Sequence, residues 1–192
     1  ALGGGQPGLA GRLSDMAASA CTESGLEAGP GGWVVEGCVA QANIGAGSVI
    51  GIRAGNSALV RACTAISNKS TGSGCIGIYC NQDTVISECV ANGNQGATLC
   101  IGIFVSSSGV LTNCAGCSNS AYVTGKCSGI YGGGGSTLRD CIAASSFSQS
   151  GECRGFDLGD DVTMTGCHAH QNIGVGAADP ALNGAGICVG FR

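Results

Sequence analysis

Few residues in this chain could do acid–base chemistry, and their spacing limits what they could do. Asp157, Asp160 and Asp161 form the one acidic cluster. Glycoside hydrolysis normally needs two opposed carboxylates, and a single cluster does not supply them. Lys69 and Lys126 are the only lysines, each in a region of variable length, so a proton-abstracting base beside a calcium cluster is not in evidence. Asp157, Asp160 and Asp161 therefore read as a turn cluster or, at most, a weak calcium site. His168 and His170 stand two apart, on one face of a strand, but two ligands do not make a zinc site. Gly132 to Gly135 are followed by no Gly-Lys-Ser/Thr, so they form a turn and not a phosphate cradle. These patterns predict no catalytic set, no resident metal and no cofactor.

Cysteine is the abundant reactive side chain, with 14 in the chain. Cys114-Ala-Gly-Cys117 is the only C-x-x-C, without the second pair or histidine spacing of a zinc site. An even, high count points to disulfides and to an exported, oxidising location. Cys38, Cys63, Cys89, Cys114, Cys141 and Cys167 recur at one repeat position; Cys75, Cys100, Cys127, Cys153 and Cys188 recur at another. The spacing predicts clamps at the bases of successive loops: Cys63 with Cys75, Cys89 with Cys100, Cys114 with Cys127, Cys141 with Cys153 and Cys167 with Cys188. Cys38 is left for Cys21, and Cys80 for Cys117. Two alternatives stay open: bonds from rung to rung within each column, and ladders of buried free thiols.

The elements that position these residues are repeats. Glycine opens a strand at Gly25, Gly51, Gly77, Gly102, Gly129, Gly155 and Gly190, each followed by Leu26, Ile52, Ile78, Ile103, Ile130, Phe156 or Phe191. The period is 25 to 27 residues until a longer final stretch. The apolar runs suit strands of about 4 to 6 residues, not helices. Stacked coils put equivalent residues in columns about 4.8 Å apart. An alanine or glycine column lies at Ala40, Ala65, Ala91, Gly116, Ala143 and Ala169. A turn column lies at Asn43, Asn68, Asn94, Asn119, Ser146 and Asn172, where side-chain amides can bond above and below. Length variation falls between each cysteine and the next glycine, so loops emerge along one edge. Asn68 also heads a glycosylation sequon, which its place in the turn column makes a poor acceptor.

These columns resemble the right-handed parallel β-helix family, the fold of pectate lyases. The resemblance covers about residues 25–192 and implies an all-β solenoid of six coils plus a seventh strand. In that family polysaccharide chemistry occurs on the outer face of the first sheet. Here that column reads Glu27, Arg53, Tyr79, Phe104, Tyr131, Asp157, Arg192. The stripe of Tyr79, Phe104 and Tyr131 has three readings: a sugar platform, a stabilising ladder and a lateral protein contact. Gly159-Asp160-Asp161 superficially resembles a polygalacturonase motif, but Asn-Thr-Asp, Gly-His-Gly and Arg-Ile-Lys are missing.

A net charge of −4 gives no basic footprint for nucleic acid. No stretch approaches the ~20 apolar residues of a membrane span. Glycine is plentiful (37 residues) and charge sparse, yet 44% hydrophobic residues on a strict period argue for order. Residues 1–24 read as an arm followed by a capping helix, because Leu9, Leu13, Met16, Ala17 and Ala20 share one helical face; residues 25–192 form the β-helix domain. The final strand presents Phe191 and Arg192, and Glu27 opens the same columns at the other end. The expected function is a secreted, cell-surface or extracellular structural solenoid that self-associates end to end into a homopolymer. The alternative is a carbohydrate-binding or carbohydrate-cleaving protein with a polysaccharide partner.

Overall fold

The computed structural model describes residues 11–175 and the backbone of 188–189. It is a parallel β-solenoid of about six turns with four faces, and among the described residues there is no helix. Sheet 1 contains Ser24–Glu27, Val49–Ala54, Gly74–Cys80, Leu99–Val105, Lys126–Gly132, Cys153–Leu158 and Cys188–Val189. Sheet 2 runs from Arg12–Ser14 and Val34–Glu36 through Leu59–Arg61, Val85–Ser87, Val110–Thr112 and Thr137–Arg139 to Thr163–Thr165. Sheet 3 runs from Ala17–Ser19 and Val39–Gln41 through Thr64–Ile66, Val90–Asn92, Ala115–Cys117 and Ile142–Ala144 to His168–His170. Sheet 4 is built from pairs such as Lys69–Ser70 and Gln95–Gly96. Every coil pairs in register with the next, as in Ile78 with Ile103 and Ile86 with Leu111.

The corners explain how such short strands close a coil. Three corner residues per coil adopt positive φ, five residues apart: Ser57, Ala62 and Ser67; Asp83, Glu88 and Gly93; Ser108, Asn113 and Ser118; Gly135, Asp140 and Ser145; Asp161, Gly166 and Gln171. Each five-residue side therefore has three strand residues, with the middle one facing in. On sheet 2 this buries Val35, Val60, Ile86, Leu111 and Leu138; on sheet 3 it buries Ala40, Ala65, Ala91 and Ala143.

The glycine that opens each repeat pinches the interior into two lobes. A Cβ on Gly51 would stand 2.8 Å from the Asn68 Nδ2 and 3.0 Å from the Ala65 Cβ, and Gly25 and Gly102 are equally crowded. The strand bends at this point. Cys75 before it faces one lobe, while Ile78 and Cys80 after it face the other. The larger lobe holds the aliphatic columns, Phe156 and the first cysteine column. The smaller holds Val49, Cys75, Cys100, Ala121, Cys127 and Cys153.

The capping helix is corrected. Arg12–Ser14 and Ala17–Ser19 are strands that pair with Val34–Glu36 and Val39–Gln41, so these residues are the first rung of the solenoid. Leu13 registers with Val35 and Ala18 with Ala40. Asp15 and Ala20 take the positive φ of the two corners. Five-residue sides put inward groups at Leu13, Met16 and Ala18, a spacing close enough to a helical face to be mistaken for one. The expected arm, residues 1–8, lies outside the described residues, as do Leu9 and Ala10.

Candidate functional site

The outer column of sheet 1 is the most ordered chemical feature on the surface. Tyr79 and Phe104 stack with ring centroids 5.0 Å apart and planes 4° apart; Phe104 and Tyr131 stack at 4.7 Å and 7°. In-register parallel strands impose this, since their equivalent side chains stand one strand spacing apart. The Arg53 guanidinium covers the remaining face of Tyr79 at 5.4 Å and reaches Glu27 at 3.7 Å. Beyond Tyr131 the column continues to Asp157, which is ion-paired with Arg154. Arg154 also meets Glu152 at 2.6 Å, and Lys126 lies 3.6 Å from the same carboxylate. The sequence shows Asp157 but not this hub, because Arg154 sits in a column otherwise occupied by uncharged residues: Ser24, Ile50, Ile76, Ile101, Ser128 and Val189.

Geometry decides among the uses of the stripe. Rings that bind sugars present a face, whereas here both faces of Phe104 are taken by its neighbours and one face of Tyr79 by Arg53. Outward go ring edges and two phenol hydroxyls. This is a self-satisfied ladder of stacked aromatics, and it does not favour the sugar platform. The acidic residues do not converge either. Asp157 is held by Arg154, while Asp161 is a positive-φ corner. Among the described residues no group of three or more His, Cys, Asp or Glu is arranged to hold a metal ion. His168 and His170 are exposed on the outer face of sheet 3 in its last strand.

The interior carries the other candidate chemistry. Cys38, Cys63, Cys89, Cys114 and Cys141 stack at the corner between sheets 2 and 3, buried and ending at half-buried Cys167. Cys75, Cys100, Cys127 and Cys153 stack in the smaller lobe, and the backbone of Cys188 continues their register. All thirteen cysteines whose side chains are described are free thiols. The expected clamps of Cys63 with Cys75, Cys89 with Cys100, Cys114 with Cys127 and Cys141 with Cys153 would join one stack to the other, and the structure puts those partners in separate lobes; the Cys188 side chain lies outside the described residues. Cys21 sits in the asparagine column, away from Cys38, and its N–H donates to the Asn43 Oδ1. Cys80 is buried in the larger lobe, while Cys117 lies on the outer face of sheet 3. Among the described residues the sulfurs stand as two columns of free thiols and not as clamps across the lobes.

Each ladder satisfies its own S–H groups. Cys63, Cys89, Cys114 and Cys141 donate to the carbonyl two residues back, at 3.2 to 3.3 Å. Cys100 and Cys127 donate to the carbonyls of Asn94 and Asn119, both at 3.1 Å. Desolvation pushes the Cys75 thiol up to about 12, raises Cys38, and raises Cys80 further. Within the first stack the Cys114 thiol is lowered, because the neighbouring thiols of Cys141 and Cys89 favour its thiolate; those two are raised in turn.

Beside the thiols runs the asparagine ladder. The Asn68 Nδ2 donates to the Asn94 Oδ1 at 2.9 Å and to the Ala40 carbonyl at 3.1 Å; the Asn94 Nδ2 donates to the Asn119 Oδ1 and the Ala65 carbonyl. Asn68 is fully buried and its amide is used in this way, so the sequon faces inward. The ladder is interrupted at Ser146, whose hydroxyl is buried without a partner.

The ends of the described solenoid are less covered than its middle. Met164, Cys167 and Ala169 on the last rung are half-buried, whereas Leu138, Cys141 and Ala143 one rung earlier are buried. Leu13 and Met16 are likewise half-buried against buried Val35 and Cys38. Glu27 borders two open depressions near the first rungs, one lined by residues 20–24 and the other by residues 28–30, Arg53, Gly55 and Asn81. Phe191 and Arg192, expected to meet Glu27 of a neighbour, lie outside the described residues. Among the described residues no helix is long and apolar enough to cross a membrane. A scan against protein-family models found no match, and a search of curated proteins found none either.

Proposed function

We propose that this chain is a structural β-solenoid that self-associates end to end, with an extracellular or cell-surface location. One observation carries the reading: the first and last rungs of the described residues present the same columns with half-buried apolar side chains. A second copy stacked head to tail would set Leu13 against Met164, Met16 against Cys167 and Ala18 against Ala169, continuing the core across the junction. Terminal strands also offer unpaired backbone groups, a template for another chain, and a heterologous contact of this kind need not close. The self-stacked ring ladder fits a scaffold better than a sugar platform.

The test is assembly state. The native chain should form rods in electron micrographs and sediment as a concentration-dependent series. Met164→Asp and Leu13→Asp should each abolish this while the middle coils stay folded, since solenoid stability is roughly a sum of neighbour terms. A native chain that stays monomeric at every concentration, or variants that still form rods, would overturn the proposal.

A further inference from the structure

The first thiol stack is closed along its length and open at one end. Cys114, Cys141 and Cys167 occupy successive rungs, because the strands on both sides of them pair in register: Thr112 with Arg139 and Thr165, Ala115 with Ile142 and His168. Cys114 and Cys141 are at most 1% exposed, whereas Cys167 is half-buried and its Sγ contacts only the Thr165 carbonyl, at 3.5 Å, among its hydrogen-bond partners. The thiols of Cys141 and Cys89 both lower Cys114, so the neighbouring sulfurs act on one another. In-register Cα atoms at one strand spacing fall inside the range a disulfide spans. Thiol–disulfide exchange requires a thiolate to attack one sulfur of a disulfide, and a column of sulfurs supplies such an array at every rung.

We propose that Cys167 is a thiol–disulfide exchange site for small-molecule disulfides, and that the stack behind it takes up the resulting bond and passes it inward rung by rung. In the first step the Cys167 thiolate attacks the small disulfide, forming a mixed disulfide and expelling one thiolate. Cys141 gives up its proton and attacks the Cys167 sulfur, forming Cys141–Cys167 and expelling the second small thiolate, which takes up the proton. The net change is one small disulfide reduced to two thiols and two cysteines oxidised. Cys114 then attacks the Cys141 sulfur, forming Cys114–Cys141 and returning Cys167 as a thiol, with no further oxidant. The inference does not depend on end-to-end assembly, which would cover Cys167, so it is tested on dilute chain whose monomeric state is checked by sedimentation.

The experiment exposes the folded chain to oxidised glutathione, quenches with acid and maps peptides without reduction. Glutathionylated Cys167 should come first, then Cys141–Cys167, then Cys114–Cys141. Cys167→Ser should slow formation of bonds inside the stack at least tenfold, while Cys117, half-buried off the stack, still gains glutathione and reports that the reagent is active. Cys141→Ala keeps the entry thiol but removes its resolving partner, so the adduct on Cys167 should accumulate. Cys89 alkylation by maleimide, run in parallel, measures global opening. Bonds inside the stack that form no faster than Cys89 is alkylated, that form equally in Cys167→Ser, or that never follow the Cys167 adduct would overturn the proposal.

Discussion

Gly77 faces Ala91 across the pinched waist of the coil, so closely that a Cβ on Gly77 would stand 2.8 Å from the Ala91 Cβ. The same atom would meet the Gly102 carbonyl at 2.7 Å and the Asn94 Nδ2 at 2.8 Å, both parts of a rigid wall. Gly77→Ala should therefore destabilise the chain by about 2 to 3 kcal/mol, the upper range for overpacking. Urea unfolding measures it; a loss under about 0.5 kcal/mol would mean that the waist can widen.

The asparagine ladder gives paired substitutions of opposite sign. Asn94→Ala removes the acceptor of the Asn68 amide and a donor to the Ala65 carbonyl, leaving buried groups unmet. It should cost about 2 to 4 kcal/mol, one to three for each stranded group. Ser146→Asn restores the interrupted rung and should stabilise by about 1 kcal/mol. Thermal melts of the two variants against the parent check both signs.

Ala62 holds φ at 50° in a corner column where Gly37 and Gly166 also stand. Left-handed backbone costs a residue with a Cβ about 1 to 2 kcal/mol, partly offset by the greater freedom glycine loses on folding. Ala62→Gly should raise stability by about 0.5 kcal/mol or more. A decrease in the unfolding midpoint would show that the Cβ makes contacts outweighing the strain.

Burial raises the Cys75 thiol from about 9 to about 12. Its contribution is therefore complete below about pH 9. As pH rises, the unfolded chain ionises while the folded chain keeps its proton, and stability falls until the folded group titrates near pH 12. The slope from this one group is about 1.4 kcal/mol per pH unit. Cys75→Val, which copies Val49 in the same column, should lose less stability than the parent between pH 9 and 11. Denaturation curves at both pH values measure the difference, and parallel losses would reject it.

Much of this architecture was legible in the sequence, because stacking makes each column chemically uniform: the glycines from Gly25 to Gly155, the alanines from Ala40 to Ala169 and the asparagines from Asn43 to Asn172 could be aligned by eye. The first rung was not, since Met16 stands where the cysteine column would be and Cys21 where an asparagine would be. The corners hid for another reason: Ala62, Glu88 and Gln171 are not residues that announce positive φ. The cysteine spacing locates columns along the chain but does not say which lobe each faces, so clamps and ladders looked alike until the bend at glycine separated Cys75 from Ile78. The aromatic stripe was visible as a column, yet only ring orientation shows that both faces of Tyr79 and Phe104 are already occupied. Arg154 was invisible as a hub because its partners, Glu152 just before the strand and Asp157 within it, form no recognisable motif.

The five-residue sides impose something like a reading frame on the folded chain. One residue added or lost between Ser57 and Ala62, or between Ala62 and Ser67, would exchange inside for outside until the next corner restored the phase. Between the turn after Ser70 and the strand at Gly74 no such count applies, and the equivalent stretches at 97–98, 122–125 and 149–152 differ in length from coil to coil. The solenoid thus has a seam: one longitudinal line along which its sequence grows without disturbing phase, while the five-residue sides admit substitution only.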